Sequence, residues 1–275
     1  MTQATATKPS VITGAPIHPS LATKDLAKAR AWYADKLGWE PTIEPPGVLV
    51  YELGGSESAF TLYETPFAGT AKNTVMNWIV RSVREAVAQL RGRGVTFEAY
   101  DFGEYKTVDG IMETPDGNAN AWFKDPDGNI VGLVQDTSVP EGGAISAMLA
   151  AADLDRAKAW YAEKLGFEPA SEMPGLVLDY RSGPTRFEVY KTDFAGTAKN
   201  TVAVWRLAGI RDEVGRLRSR GVAFEEYDFG PEGRTVGGIL TEGESDLNAW
   251  FTDSEGNIVA LTQMPPGMTL PLDAP

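Results

Sequence analysis

His18 is the only histidine in the sequence, and its ordinary pKa near neutrality suits proton transfer. One hypothesis therefore makes His18 a general base or acid at the floor of a pocket. The alternative is a hydrogen-bonded strand residue with no part in chemistry. The chain has no cysteine, which excludes disulfides, thiolate metal sites and a cysteine nucleophile. No second nucleophile–base pattern is visible, so a catalytic hypothesis depends on His18.

Aromatic residues recur at matched positions in the two halves of the chain, within segments that alternate as strands do. The matched pairs are Tyr63 with Tyr190, Trp78 with Trp205, Tyr100 with Tyr227, and Trp122 with Trp250. Alternate residues of a strand face one side of its sheet, so these rings are candidates for the walls of a ligand pocket. Core packing is the alternative for each ring. Glu113, whose counterpart is Thr241, is a polar candidate at the pocket edge.

These residues lie within an internal duplication. The segment DLAKARAWYADKLGWEP at Asp25–Pro41 returns as DLDRAKAWYAEKLGFEP at Asp153–Pro169. FAGTAKNTV returns unchanged at an offset of 127, and NAWFKDPDGNIVGL returns as NAWFTDSEGNIVAL at an offset of 128. Because order and spacing are both kept, the chain is a tandem repeat of one domain. We predict the domains at 15–136 and 145–265, joined by a linker at 137–144, with a flexible N-terminal segment at 1–14 and a C-terminal tail at 266–275.

Each copy is predicted to contain two units of the order strand, helix, three strands. Asp25 and Gly38 have the residue types that begin and end a helix, and Ser82 with Glu85 forms a capping box for the second helix. In the second copy Gly209 replaces Ser82, which leaves that helix start less defined. The expected fold class is α+β, with four βαβββ units that form half-open barrels.

The DL-x5-WYA-x-KLG segment and the turn DPDGN at Asp125–Asn129 resemble the glyoxalase/bleomycin resistance protein/dioxygenase (vicinal oxygen chelate) superfamily. The resemblance covers both copies, 17–135 and 145–263. It implies a ligand pocket on the concave face of each curled sheet. It does not specify the reaction, because one fold serves many functions.

In the metal enzymes of that superfamily, a unit supplies a histidine from its first strand and a glutamate from its last strand. The corresponding positions here, in unit order, are His18, Val75, Ser146 and Val202 for the first strands, and Thr61, Gly132, Glu188 and Ala260 for the last strands. Each pocket would be built from two units, either within a copy or across copies. His18 and Glu188 fall in different pockets in both arrangements. We therefore expect no metal and no other cofactor, with Glu188 as a ligand-binding side chain. A rearranged divalent-metal site using Glu64, Glu113 or Asp179 remains an alternative.

The composition is that of a folded protein, with 43% hydrophobic and 23% charged residues and a net charge of −13. Such a charge repels phosphate backbones and anionic lipid, so we expect neither nucleic-acid nor membrane partners. Neither a secretory signal nor a long apolar run is visible, which together with the absence of cysteine favours a cytoplasmic location. The fused copies already supply two domains, so a monomer or a weak homodimer is expected.

Three functions remain open, the last of which is a protein that has no small ligand and acts through association. The first is a protein of the bleomycin-resistance kind that binds a small organic molecule, aromatic or cationic, without a metal. The second is an enzyme of lyase, isomerase or epimerase, or dioxygenase type, either metal-dependent or using His18 as general base.

Overall fold

The first copy forms two units of strands around a helix, as the sequence predicts. The computed structural model describes residues 11–53, 58–101, 103, 105–115, 117–140, 142–242 and 246–263. The elements of the first copy are β1 (Ile17–Thr23), α1 (Leu26–Trp32), β2 (Val48–Glu52), β3 (Ala59–Glu64), β4 (Thr74–Val80), α2 (Val83–Gly92), β5 (Thr107–Val108), β6 (Ile111–Glu113), β7 (Ala119–Lys124) and β8 (Ile130–Gln135).

The second copy repeats this order. Its elements are β9 (Ala144–Ala151), α3 (Leu154–Trp160), β10 (Ser171–Met173), β11 (Val177–Ser182), β12 (Thr185–Lys191), β13 (Thr201–Arg206), α4 (Ile210–Ser219), β14 (Leu240–Glu242), β15 (Asp246–Thr252) and β16 (Ile258–Gln263). The α+β class with curled sheets is confirmed. The predicted strand of residues 39–44 reduces to a single bridge between Ile43 and Val50, because the prolines at 41, 45 and 46 have no N–H to donate. The strand predicted directly after α2 reduces to isolated bridges at Phe97 and Asp101.

The predicted helix caps are present. Asp25 accepts a hydrogen bond from the backbone N of Lys28, and Ser82 accepts one from Glu85. Gly38 ends the first helix with a left-handed φ of 75°, after a π-helical turn at Tyr33–Leu37. At α4, where Gly209 offers no side chain, the N–H of Ile210 donates to Gln263 at 2.9 Å.

The turn motif that carries the family resemblance ties the two units of each copy together. Asn129 donates to the carbonyl of Ala22 at 2.8 Å and to Asp125 at 2.7 Å, and Tyr33 donates to the same carboxylate at 2.9 Å. Asn257 and Tyr161 make the matching bonds to Asp253 in the second copy. These motif residues are therefore structural.

The repeated FAGTAKN segments also have a structural part. Lys72 donates its backbone N–H to Thr197, and Lys199 donates to Thr70, so the two segments bond to each other across the copies. At Gly69, with φ of 80°, an added Cβ would lie 2.7 Å from the carbonyl oxygen of Asp127. A larger residue would therefore separate the segment from the turn beside it.

The sheets are shared between the copies. One sheet of seven strands has the order β14-β15-β16-β13-β1-β3-β2, and one of nine strands has the order β10-β11-β12-β9-β4-β8-β7-β6-β5. Unit one therefore joins unit four, and unit two joins unit three. The predicted domain limits follow the sequence repeat, while each sheet takes strands from both domains.

The chain termini bear on the predicted end segments. Residues 1–10 and 264–275, which include the predicted tail, lie outside the described residues. Within the predicted flexible segment, however, Ile12 is fully buried and its N–H donates to Glu213 at 3.3 Å. Residues 11–14 are thus part of the packed structure, which corrects that boundary. No helix among the described residues is long and apolar enough to cross a membrane.

Candidate functional site

Each sheet has one face packed against the helices and one face free of them. Ile17 and Leu21 of β1 belong to the hydrophobic core, so His18 and Ser20, which alternate with them, lie on the opposite, concave face. We call the concave face of the seven-stranded sheet the first cup and that of the nine-stranded sheet the second cup. Of the two arrangements left open by the sequence, the structure has the one that pairs units across copies.

The floor of the first cup is a row of residues across six adjacent strands. The parallel register of β1 and β3 pairs Ser20 with Thr61, and extending it by two residues places His18 beside Ala59. With the register of the other strands, the row is Glu52, Ala59, His18, Val204, Ala260 and Trp250. His18 is the one imidazole in this row, and its neighbours on both sides are small. These two neighbours offer the ring no side-chain hydrogen-bond partner.

His18 is 3% exposed, and its Nε2 has no hydrogen-bond partner. Burial, then the charge of Arg206, lowers the pKa of His18 to about 3, against a hydrogen bond to the Ala59 backbone that raises it. The imidazole is neutral at physiological pH and is a weak base there. This argues against the general-base role expected from its ordinary pKa.

Two charged residues share this floor. Glu52 has one carboxylate oxygen, Oε1, that is buried without a partner, and burial raises its pKa. Arg206 lies on β13, two residues beyond Val204, and its charge acts on both His18 and Glu52. The sequence reading missed both residues. A comparison of the two copies could have identified Arg206, since the matched position in the first copy is the apolar Ile79.

Aromatic side chains form the sides of the first cup. Tyr63 accepts a hydrogen bond from the backbone N of Thr201 at 2.8 Å. The rings of Tyr227 and Trp250 meet edge to face at 5.7 Å, and Phe229 lies 5.7 Å from each of them. His18, Tyr63, Tyr227 and Trp250, all predicted from the sequence, are therefore brought together in one cup.

The second cup has the same geometry with a different floor. The row that matches the first cup is Arg181, Arg186, Ser146, Asn77, Gly132 and Trp122. The hydroxyl of Ser146 donates to Glu188 at 3.4 Å, and Asn77 donates to the sulfur of Met148 at 3.0 Å. An added Cβ at Gly132 would lie 2.3 Å from Oδ1 of Asn77. The side chain of Asn77 can therefore adopt this position only because residue 132 is glycine.

Glu188 is the central acidic group of the second cup. Burial raises its pKa, and the charge of Asp179 on the neighbouring strand raises it further. Along β12 the residues on this face are Arg186, Glu188 and Tyr190. Tyr190 accepts a hydrogen bond from the backbone N of Thr74 at 2.7 Å, as Tyr63 does from Thr201.

A cavity of about 380 Å³ opens beside Glu188. Its wall includes Ile79, Val134, Asp136, Arg186 and Glu188. On the other side of Glu188 along β12 lies the aromatic part of the cup, where Tyr100 and Trp122 meet edge to face at 5.5 Å. The predicted residues Tyr100, Trp122, Glu188 and Tyr190 are thus together in the second cup.

Three predicted ligand contacts are corrected. Trp205 is fully buried in the core, stacks on Phe167 and donates to Ser182 at 2.9 Å. Trp78 packs against the core from the same face and lies edge-on to Trp39 at 4.6 Å. Both alternate with the cup-facing residues of their strands. Glu113 is exposed on β6 and forms an ion pair with Arg84 of α2, away from the cup.

The positions derived for two first strands are also corrected. Val75 and Val202 belong to the core, and the register of β4 and β13 shifts next to each of them. The residues opposite Ser146 and His18 are Asn77 and Val204. The irregularity in each strand leaves Val75 and Val202 facing the core, which counting from the helix start does not detect.

The floors do not fit the metal site of the superfamily's metal enzymes. Among the residues that the structure describes, no three His, Asp or Glu side chains come together. Beside His18 stand Ala59 and Val204, whose side chains offer no lone pair to an ion. The alternatives considered from the sequence are separated: Glu64 lies at the end of β3, Glu113 on the helix side of β6, and Asp179 in the other cup.

Comparison with known proteins agrees with this architecture. The family model described as Glyoxalase/Bleomycin resistance protein/Dioxygenase superfamily matches residues 16–133. Glyoxalase I from Zea mays is 16% identical, with a TM-score of 0.64 over 90% of this chain and 91% of that chain. A putative dioxygenase from Bacillus subtilis subsp. subtilis str. 168 is 15% identical, with a TM-score of 0.59 over 94% of this chain and 87% of that chain.

At these identities the two structures share the fold, and their activities do not transfer. The comparison with curated proteins found no match. Residues 16–133 are thus a domain of the glyoxalase/bleomycin resistance protein/dioxygenase superfamily, and the second copy repeats their sequence and fold.

Proposed function

We propose that the chain binds a small organic cation in the second cup, without a metal. The observation that carries the proposal is Glu188, a largely buried carboxylate in the wall of a cavity of about 380 Å³. Cavities of this size hold small organic ligands. A cation beside Glu188 would add to the positive charge that Arg186 already places near the buried carboxylate.

The surrounding side chains support the same ligand class. Asp136 and Glu188 supply two negative charges against one positive charge on Arg186. The pKa of Asp136 is lowered first by its hydrogen bonds to Ser138 and also by the charge of Arg186, so that arginine already has an acidic neighbour. Ile79 and Val134 supply apolar contact in the same cavity wall. Ligand selection then follows charge and apolar contact.

The test uses benzyltrimethylammonium, which keeps its charge at every pH and has no hydrogen-bond donor. Isothermal titration of the full chain is expected to give one site, weakened about tenfold by Glu188→Gln. Asp193→Asn is the matched control, since it removes an exposed carboxylate and leaves the cup intact. Absence of binding to the wild-type chain, or equal affinity in Glu188→Gln, would refute the proposal.

A second candidate is an enzyme in which Glu188 moves a proton. The raised pKa of Glu188 favours it, because a carboxyl group whose pKa is moved toward neutrality is a better general base. Turnover of a carbonyl substrate that Glu188→Gln abolishes while binding persists would support this candidate over simple binding.

A further inference from the structure

The first cup contains a buried hydrogen-bond acceptor without a partner. His18 is 3% exposed, bonds to the Ala59 backbone through one side of its ring, and leaves Nε2 unpaired. Buried polar atoms are nearly always paired in folded proteins. An unpaired nitrogen on a concave floor therefore points to a group that is supplied from outside the chain.

The equivalent position in the second cup lacks this feature. Ser146 stands where His18 does, and its hydroxyl already donates to Glu188. Its neighbour Asn77 is paired with Met148 and fills the space beside Gly132. In the first cup the matching neighbours are Val204 and Ala260, whose side chains offer no hydrogen-bonding group to the imidazole.

The charges of the first cup select a different ligand from that of the second. His18 is neutral, because burial and Arg206 lower its pKa to about 3, so Nε2 accepts a hydrogen bond and cannot donate one. Glu52 presents a second unpaired oxygen in the same row. Arg206 is positive and repels cations, whereas its counterpart in the second cup is the apolar Ile79.

We propose that the first cup is a second, separate binding site for a neutral aromatic molecule that donates a hydroxyl or ring N–H to Nε2 of His18. Tyr63, Tyr227 and Trp250 form the aromatic walls of this cup, and their places are matched in the second cup by Tyr190, Tyr100 and Trp122. The duplication has thus kept the aromatic walls and changed the floors. The two cups bind ligands of different charge, and this site does not depend on the cation site.

The probes are phenol, which has one hydroxyl donor, and anisole, in which a methyl group removes it. Isothermal titration of the wild-type chain is expected to give tighter binding of phenol by about fivefold or more, the size of one hydrogen bond to a buried acceptor. His18→Phe is expected to remove this preference. Ser146→Ala, the matched change in the second cup, is expected to keep it.

A direct readout needs no substitution. Because His18 is the only histidine, ¹⁵N spectra of tag-free protein report its ring without overlap. Phenol is expected to shift the Nε2 signal and anisole is not. Equal affinities for the two probes, an Nε2 signal that phenol leaves unchanged, or a stoichiometric metal lost in His18→Phe would overturn the proposal. Benzyltrimethylammonium binding by the same samples separates this outcome from failure of the cation site.

Discussion

Substituting Glu188 by glutamine removes one charge from the second cup and keeps the size of the side chain. A unit positive charge at about 5 Å from a carboxylate, with an effective dielectric constant of about 20, gains roughly 3 kcal/mol. Repulsion by Arg186, which lines the same cavity, and the desolvation of the ligand reduce this gain by about half. A loss of about 1.5 kcal/mol remains, which is roughly tenfold in Kd.

The affinity of the second cup for a cation should also depend on pH. Burial raises the pKa of Glu188, and a cation binds the carboxylate form better than the acid. The affinity for benzyltrimethylammonium should therefore be full above the pKa of Glu188 and fall as the pH decreases through it. Titration calorimetry between pH 4 and pH 8 measures this on both proteins. An equal slope in Glu188→Gln would show that another group carries the dependence and that the reasoning is incorrect.

Glu188 should also lower the stability of the free protein at neutral pH. A carboxyl group whose folded pKa is raised favours folding below its unfolded pKa and loses that contribution as the pH rises through the folded value. Glu188→Gln is therefore expected to melt at a higher temperature than wild type at pH 7, with a smaller difference at pH 4. Circular dichroism melts measure both. A lower melting temperature at pH 7 would mean that the ionised carboxylate is well solvated.

Three further predictions concern other parts of the molecule. Asn129→Ala removes the hydrogen bonds from the amide to the Ala22 carbonyl and to Asp125, whose carboxylate keeps its bond from Tyr33. The substitution should cost about 2–3 kcal/mol in thermal or urea unfolding, and Asn257→Ala should cost a similar amount because the second copy repeats the bonds. A loss below about 0.5 kcal/mol would contradict a structural role for these bonds. Gly132→Ala should displace the side-chain amide of Asn77 and weaken the binding of benzyltrimethylammonium severalfold. Ala260→Gly, the reverse change in the first cup, should leave that binding unchanged. Full affinity in Gly132→Ala would show that the neighbouring side chains adjust to the added methyl group. The ring signals of His18 should stay constant from pH 8 to pH 4.5, since its pKa is about 3, and a midpoint near 6.5 would indicate a solvated imidazole.

Much of the fold follows from the sequence because its signals are local and repeated. Asp25 and Asp153 cap their helices as their residue types predict. The duplication at an offset of 127–128 identifies the units before any contact is known. The turn motifs at Asp125 and Asp253 form the same bonds in each copy, so the residues they share led to the same local structure.

Only the tertiary structure shows which face of its sheet each aromatic side chain lies on. Tyr63 and Trp205 both lie in strand-like segments, and composition does not tell which of two alternating faces meets the helices. In the structure Tyr63 faces the first cup and Trp205 faces the core. The register is irregular beside Val75 and Val202, and both side chains face the core, because one inserted residue changes the face of the residues on one side of it.

The pairing of units was likewise decided by long-range contacts alone. Units one and two could form a sheet within a copy with the same strands and the same loops. The antiparallel contacts of β1 with β13 and of β4 with β9 instead join the copies. This arrangement puts His18 and Arg206 in one cup, and Ser146, Asn77 and Glu188 in the other. The sequence determined which side chains were available, and the strand pairing determined which of them act on the same ligand.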